Sequence, residues 1–506
     1  MHQVLLDGSS LSLDSVVVVA REFAAVSVPA AAAERARAAR ARVEGFLADG
    51  RTIYGVNTGF GKLAHVRIPA DQLLDLQRNL IRSHAAGVGD PLPEDVVRAA
   101  MLLRANVLLR ETSGVRPAIA EGLVALLNAG IHPVVPEQGS VGASGDLAPL
   151  SHIGLALLGE GDVDVRHPVR GRTVAVRQRA AAALQEAGIS PLHFEAKEGI
   201  SFVNGTQAQT ALLALLVQDA RRLWRAAHAA AAMSLEALRG TPEPFDERIH
   251  LARPHPGQIA SAALLRGLLA DSEIRESHRE NDPRVQDAYS LRCTPQVLGP
   301  VHDAIEFAAR TAEIELNAST DNPLVFEDGV LSGGNFHGQP VALALDVLAI
   351  ALTTLAGIAE RRVERLLNPD LSQGLPAFLA RNPGVESGFM MVQVTAAALV
   401  AESRTLCTAA SVQSIPTDAN QEDIVPMGMA AAFKARRVLA NARRVVAAEL
   451  LCAAQGLDIL KPLRPGAGVE RVHERVRRAV HTLTGDRPVH PDLEALSDLI
   501  AKEALP

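Results

Sequence analysis

Cysteine is scarce in this chain of 506 residues, which contains only Cys293, Cys407 and Cys452. Because they are odd in number and far apart, they indicate neither a disulfide framework nor a CxxC metal site. Free thiols are typical of reducing compartments. We therefore expect a cytoplasmic protein without a bound metal.

An excess of basic residues is also lacking. The chain carries 50 Lys and Arg against 57 Asp and Glu, which gives a net charge of −7. Proteins that bind nucleic acid or anionic membranes through charge show the opposite balance. We expect a small-molecule ligand, with neither nucleic acid nor a membrane as partner. The N-terminal segment has no basic stretch ahead of its apolar residues, so no signal peptide is expected.

Strand-like segments are few and short, whereas several proline-free, Ala/Leu-rich runs far exceed the usual helix of about 11 residues. These runs cover residues 206–239, 341–367 and 427–460. Residues 341–359 are apolar enough to suggest a membrane span, but they include Asp346 and lead directly into charged residues. The sequence predicts a mainly α protein in which long helices pack side by side. Residues 1–110 are more mixed and form a predicted N-terminal lobe, followed by a helical bundle over 111–506.

The segment EQGSVGASGDLAPL (137–150) is rich in glycine but fits no common glycine motif. A phosphate loop needs Lys and Ser or Thr after its last glycine, and here Asp146 follows Gly145. A nucleophile elbow needs Gly-x-Ser-x-Gly, and Ser144 is out of register. In a third possibility, the loop reacts with itself and the Gly145 nitrogen attacks the Ala143 carbonyl. The approach is unhindered, because glycine has no side chain and alanine has only a methyl group. Loss of two waters then leaves an electrophilic methylidene on a five-membered ring.

With this loop, the chain resembles the aromatic amino acid ammonia-lyases, whose Ala-Ser-Gly triad cyclises to a methylidene-imidazolone (MIO) prosthetic group. The resemblance rests on segments found in family order over nearly the whole chain: YGVNTGFGKL (54–63), LQRNLIRSHAAGVG (76–89), GSVGASGDLAPLSH (139–152), VNGTQ (203–207), QDAYSLRCTPQVLG (286–299), DNPLVF with SGGNFHGQP (321–340) and NQED (420–423). It implies a long-helix bundle of the aspartase/fumarase type. It also implies a homotetramer whose sites draw on more than one subunit, and no external cofactor.

The resemblance assigns roles to residues in these segments. The chain contains two tyrosines, and both lie inside them. Tyr54 is expected to remove the β-proton and Tyr289 to act at the electrophile, although a phenol with a pKa of about 10 needs donors that favour its phenolate. Asn204 is expected to hold the ring oxygen or the substrate, and Phe336 to pack beside the prosthetic group.

The segment QDAYSLR contains a possible substrate-binding set. Gln286, Tyr289 and Arg292 would share one face if the segment is helical, and Pro295 would end such a helix soon after. The two-pronged guanidinium of Arg292 suits a carboxylate, and the family uses the matching residue for that of the amino acid.

The choice of substrate depends on His84 and Glu422. Taken alone, His84 on its helical stripe is an ordinary core histidine. By resemblance, the Ser-His pair at 83–84 and the Glu of NQED are typical of histidine ammonia-lyases. For Glu422 the chemistry agrees, because a carboxylate accepts a hydrogen bond from an imidazole N–H, whereas a phenyl ring offers no donor to offset the desolvation of the carboxylate. Ile424 and Pro426 stand where that group usually has His and Ser.

The predicted reaction is therefore the deamination of L-histidine to urocanate and ammonia. The alternatives are a phenylalanine or tyrosine ammonia-lyase, an aromatic amino acid aminomutase, and a non-catalytic helical scaffold with an uncyclised loop.

Overall fold

The computed structural model describes residues 3–169, 172–280, 282–502 and 505, and helices dominate it. In chain order they are α1 (Leu13–Arg21), α2 (Ala30–Ala48), α3 (Leu73–His84), α4 (Glu94–Leu108), α5 (Pro117–Ala129), α6 (Leu147–Leu157), α7 (Ala180–Glu186), α8 (Glu198–Val203), α9 (Gln207–Ala237), α10 (Glu247–Leu251), α11 (Pro256–Leu268), α12 (Glu273–Glu276), α13 (Tyr289–Arg292), α14 (Thr294–Leu316), α15 (Gln339–Leu367), α16 (Met390–Thr405), α17 (Gly428–Ile459), α18 (Ala467–Ala479) and α19 (His490–Lys502). The mainly α class is confirmed.

The three proline-free runs become α9, α15 and α17, with bounds close to those that the sequence predicts. Glycine and proline punctuate them as expected: Gly240 and Pro242 follow α9, and Pro369 follows α15. The proline-free runs did not predict α14, because this helix contains Pro300. Pro295 lies in the first turn of α14, where proline is tolerated, so it follows the end of α13 and is also part of the next helix.

The strands are short except for one antiparallel pair of eight residues each. They are β1 (Val4–Leu5), β2 (Val26–Ser27), β3 (Val88–Pro91), β4 (Ile131–Pro133), β5 (Pro136–Gln138), β6 (Asp162–Val169), β7 (Arg172–Arg179), β8 (Leu324–Val325) and β9 (Val330–Leu331). β1 pairs with β2 in parallel, while β3–β5, β4–β6–β7 and β8–β9 are antiparallel. Within the described residues these are four separate small sheets, which lie between helices in the chain.

The chain divides into two compact units. Unit 1 comprises Met1–Leu215, Ala309–Leu345 and Ala409–Phe433, and unit 2 comprises Leu216–Ala308, Asp346–Thr408 and Lys434–Pro506. Each of α9, α14, α15 and α17 therefore contributes residues to both units. Residue 110, where composition predicts a lobe boundary, lies inside unit 1, and that boundary stays a prediction.

The interior of unit 1 is built around α4. Every residue from Val96 to Leu108 is buried, including Arg98 and Arg104. A helix buried on all sides can carry such cations only where backbone carbonyls or other acceptors surround them. Such acceptors are present: Arg98 donates to the Val19 carbonyl at 2.8 Å, and Arg104 donates to the Thr320 carbonyl at 3.2 Å.

Unit 2 also has charged groups in its interior. Glu449 accepts hydrogen bonds from Arg362 at 2.9 Å and from Ser234 at 2.7 Å, and all three residues are fully buried. The stretches Glu198–Ala237 and Gln339–Leu367 are long and apolar enough to cross a membrane by length and composition alone. The most apolar window of the first is wholly buried in the protein and that of the second is 61% buried, as in the core helices of a bundle.

Candidate active site

The glycine-rich loop is tied to two distant segments of unit 1. Gly142 and Gly145 adopt left-handed backbone angles, with φ of 72° and 84°, which glycine reaches without strain. The carbonyl of Gly142 accepts a hydrogen bond from the Gly338 N–H at 3.0 Å, and that of Val141 accepts one from the Met427 N–H at 2.9 Å. The segments around 338 and 427 thus fix the entry to the loop.

The exit from the loop is fixed by Asp146, immediately before α6. Its carboxylate is fully buried and accepts hydrogen bonds from the Ser140 hydroxyl and from the Gln209 N–H, each at 2.9 Å. Burial raises the pKa of Asp146 to about 6. Its own N–H donates to the Gly205 carbonyl at 2.7 Å, so the start of α6 is anchored to the turn before α9.

Ser144 lies between an amide and a carboxylate. The Asn204 side-chain N–H donates to the Ser144 carbonyl at 3.0 Å, and the Ser144 hydroxyl donates to Oε1 of Glu422. Oε2 of Glu422 accepts from the Thr417 hydroxyl. The Oδ1 atom of Asn204 is buried and has no hydrogen-bond partner among the described residues, so it is available to a donor that arrives later.

Tyr54 and Ser144 line the same cavities. Its hydroxyl oxygen accepts a hydrogen bond from the Gly61 N–H at 3.0 Å. Burial raises the pKa of Tyr54; the Gly61 N–H opposes that rise, while the carboxylates of Asp418 and Glu422 add to it. One donor therefore favours the phenolate, and two negative charges oppose it.

His84 is the last residue of α3 and is half-buried. Its Nδ1 lies 3.0 Å from the Ser83 hydroxyl. Burial lowers the pKa of His84, which keeps the imidazole neutral at physiological pH. A neutral imidazole can both donate and accept, so His84 can pair with a polar ring in the cleft.

Two adjoining cavities of about 410 Å³ and 530 Å³ form one cleft in unit 1. They share the lining residues Tyr54, Gly61, Ser144, Asn204, Asp418 and Glu422. The first is also lined by Ala143, Phe336 and Ile424, and the second by His84. Their size is that of a typical small-molecule site.

Not every predicted site residue lines this cleft. Gln286, Tyr289 and Arg292 belong to unit 2. The helical face that their spacing suggests does not form, because α13 runs only from Tyr289 to Arg292 and Gln286 lies outside it. The Arg292 guanidinium lies 4.8 Å from the ring centroid of Tyr289, and Tyr289 is 71% exposed.

Ile424 and Pro426, at which the chain departs from the family pattern near Glu422, differ in their exposure. Ile424 is 63% exposed at the cavity, and its carbonyl accepts a hydrogen bond from Nε2 of His337 at 3.2 Å. Pro426 is buried beside the loop, where a Cβ on Gly142 would lie 3.2 Å from its Cγ. Ile424 therefore changes the polarity of the cleft, and Pro426 packs against the loop itself.

Asp418 and Asn322 also line the cleft, and sequence reasoning did not single them out. Asp418 accepts a hydrogen bond from the Lys62 N–H at 3.1 Å, which joins the 417–422 segment to the tyrosine-containing segment. Asn322 accepts one from the Gly333 N–H at 2.7 Å and so shapes the segment that carries Phe336. Each stands next to or inside a quoted segment, but nothing local marks it as a lining residue. No cluster of three or more His, Cys, Asp or Glu side chains is arranged to hold a metal ion within the ranges that the structure describes.

Comparison with known proteins gives consistent matches. The model of the family described as aromatic amino acid lyase matches residues 11–478. The chain is 53% identical to a histidine ammonia-lyase of Anaeromyxobacter sp. (strain K) over 509 residues, which covers 100% of both chains. Among solved structures it is similar to histidine ammonia-lyase from Trypanosoma cruzi, with a TM-score of 0.91, 43% identity and coverage of 100% of this chain and 94% of that one. It is also similar to a tyrosine aminomutase from Streptomyces globisporus, with a TM-score of 0.92, 42% identity and coverage of 99% and 97%.

Proposed function

Since this chain belongs to the aromatic amino acid lyase family and is a carbon–nitrogen lyase, we propose that it releases ammonia from L-histidine and forms urocanate. The observation that carries the proposal is the position of Ser144, held by Asn204 and Glu422 in a cleft that also contains Tyr54 and His84. Histidine ammonia-lyases about half identical to this chain over its full length support the choice of substrate.

The loop suits the prosthetic ring expected of residues 143–145. Gly145 adopts the left-handed backbone angle of a tight bend, and Ala143 is only 3% exposed, which keeps water from the carbonyl that would be attacked. The buried Oδ1 of Asn204, which has no hydrogen-bond partner in the described part of the chain, is a free acceptor beside Ser144. The ring supplies an electrophile for the substrate amine that no ordinary side chain provides.

Formation of the ring would free a hydrogen-bond acceptor. Oε1 of Glu422 is occupied by the Ser144 hydroxyl, and Oε2 by the Thr417 hydroxyl. Loss of the Ser144 hydroxyl as water leaves Oε1 available to an imidazole N–H of the substrate. Glu422 then holds the substrate ring from one side, and the neutral His84 lies in the same cleft.

We assign proton abstraction from the β-carbon to Tyr54. The raised pKa of its phenol means that it needs positive charge from groups that arrive with the substrate or from another subunit. Arg292, Tyr289 and Gln286 are proposed to complete a site of another copy in a homotetramer, with Arg292 on the substrate carboxylate. Exposed apolar side chains of unit 2, such as Met391 (60%) and Val385 (83%), support burial by further copies.

A reducing, cytoplasmic setting is proposed because Cys293, Cys407 and Cys452 are free thiols. The second candidate function is an aromatic aminomutase or a phenylalanine or tyrosine ammonia-lyase. Ile424 favours it, because an exposed apolar side chain lines the cleft where a polar one would suit histidine.

The test is a parallel substrate screen with the purified protein. Urocanate from histidine, cinnamate from phenylalanine and coumarate from tyrosine are followed by absorbance, and β-amino acids by chromatography. The proposal requires urocanate as the main product. Cinnamate, coumarate or a β-amino acid as the main product would instead establish the second candidate, and no product from any of the three would remove both.

A further inference from the structure

The turn formed by Asn204 and Gly205 contacts the glycine-rich loop through hydrogen bonds on both sides of Gly145. The Asn204 side chain donates to the Ser144 carbonyl at 3.0 Å, and the Gly205 carbonyl accepts from the Asp146 N–H at 2.7 Å. A Cβ on Gly145 would overlap the backbone of Gly205. The two backbones are therefore in direct contact, and the turn fixes the loop on both sides of Gly145.

Arg104 lies directly behind this turn. Its guanidinium donates to the Ser201 carbonyl, to Oε1 of Gln207 at 2.6 Å and to the Thr320 carbonyl at 3.2 Å. Ser201 precedes the turn and Gln207 follows it. A Cβ on Gly205 would overlap Nη1 of Arg104 and Oε1 of Gln207. One side chain of α4 thus fixes both ends of the turn and fills the space beneath its glycine.

The charge of Arg104 is poorly compensated. The side chain is fully buried, and its three hydrogen-bond acceptors are all neutral. The attracting carboxylate, Asp321, already pairs with the buried Lys197 at 3.2 Å. Two buried cations that share one carboxylate cost several kcal/mol of desolvation, so the residue is a poor stabiliser of the fold. The hydrogen bonds from Arg104 to Ser201 and Gln207, on either side of the turn, give another reason for a buried arginine here.

We propose that Arg104 is a positioning residue for ring closure in residues 143–145, an inference that rests on the proposed function. Closure forms a bond between the Gly145 nitrogen and the Ala143 carbonyl carbon. The carbonyl oxygen leaves as water with the amide hydrogens of Gly145 and Ser144. The Ser144 hydroxyl leaves as a second water with its Cα hydrogen, and no oxidant is needed. Arg104 acts on none of these atoms; it holds the turn that presses Gly145 towards Ala143.

The experiment compares Arg104→Met with Arg98→Met by intact mass. Arg98 is a matched control because it is also buried in α4 and donates to the carbonyls of Val19 at 2.8 Å and Leu127 at 3.2 Å. The wild type and Arg98→Met are expected to be two waters lighter than the open chain. In Arg104→Met we expect the cyclised fraction to fall on the order of tenfold or more, because small misplacements of reacting groups slow a reaction steeply.

Thermal unfolding of both variants separates positioning from folding. Similar losses of Tm with unequal cyclised fractions support the proposal. A folded Arg104→Met protein with the full mass deficit overturns it and leaves the proposed function intact, whereas a wild type without the deficit removes the proposed ring itself.

Two further variants keep the test decisive if Arg104→Met does not fold. Arg104→Lys retains the charge and some of the donors, and should give an intermediate cyclised fraction. Gly205→Ala retains Arg104 but displaces the turn, and should reduce the fraction as strongly as Arg104→Met. Full cyclisation in both of these variants overturns the proposal.

Discussion

The hydroxyl of Ser144 donates a hydrogen bond to the carboxylate of Glu422, across 278 positions of the chain. The serine that is proposed to be consumed in ring formation is therefore oriented by the residue that is proposed to bind the substrate. One carboxylate can serve both stages, because the first stage removes its hydrogen-bond donor.

Replacement of Ser144 by alanine should abolish both the two-water mass deficit and catalysis. The variant lacks the oxygen that leaves as water, so activity should fall by at least about 10³-fold. Intact mass and urocanate production measure the two effects. Ser140→Ala is the control within the same loop, because the Ser140 hydroxyl donates to Asp146 and accepts from the Gly142 N–H but supplies no atom of the proposed ring. A Ser144→Ala protein with normal turnover would contradict the role of the loop.

Removal of the Tyr54 hydroxyl should lower kcat far more than it raises KM. A general base contributes about 10²–10⁴-fold to a rate, and the phenylalanine variant preserves the shape of the ring. Steady-state kinetics of Tyr54→Phe with histidine measure the loss. An unchanged kcat would assign the proton transfer to another group.

The pH dependence of kcat/KM should respond to Asp418. Its negative charge raises the pKa of Tyr54, so the fraction of the phenolate base increases only as pH rises. Asp418→Asn removes the charge but keeps an oxygen for the Lys62 N–H, and should move the rising limb to lower pH. The pH profiles of kcat/KM for the wild type and Asp418→Asn measure this shift, and a shift of the rising limb to higher pH would contradict Tyr54 as the base.

Replacement of Glu422 by glutamine should alter substrate preference. Loss of a charged acceptor costs about 1.5–3 kcal/mol, or roughly 10–10²-fold in kcat/KM for histidine. The value for phenylalanine should not fall, since a phenyl ring donates no hydrogen bond. Cyclisation is checked by intact mass in the same preparation, so that incomplete ring formation is not mistaken for lost selectivity. Equal losses for both substrates would exclude imidazole recognition by Glu422.

The stability of unit 2 should depend on pH through Glu236. Burial raises the pKa of this carboxyl from 4.5 to about 7, although Ser272 and the Gly466 N–H donate to it. The folded state thus binds the proton more tightly than the unfolded state. The contribution of Glu236 to stability is therefore greatest below pH 4.5 and falls as pH rises to 7.

Glu236→Gln should remove this dependence. The amide retains an acceptor for the Gly466 N–H, and its NH₂ can donate to the Ser272 hydroxyl. The variant should approach the wild type near pH 4.5 and exceed it by up to about 3 kcal/mol above pH 7. Thermal unfolding from pH 4.5 to 8 measures the difference, with the exposed Glu247→Gln as control. A constant difference across that range would contradict the prediction.

Much of the helical framework followed from local patterns. Runs without proline predicted α9, α15 and α17 because helical hydrogen bonds join residues only four positions apart. The same reasoning missed α14, where Pro300 is tolerated inside the helix. The face that Gln286 would share with Tyr289 and Arg292 in a helical segment is not there, because α13 is only four residues long and begins at Tyr289.

By itself, the sequence determined the mainly α class, the three long helices and a glycine loop able to bend sharply at Gly145. Only the tertiary structure decided which groups meet Ser144, by bringing Asn204 from 60 positions away and Glu422 from 278. It alone revealed Arg104 behind the Gly205 turn. Helix formation is governed by neighbours within a turn or two, whereas these contacts depend on how whole elements pack, which no local pattern of residues specifies.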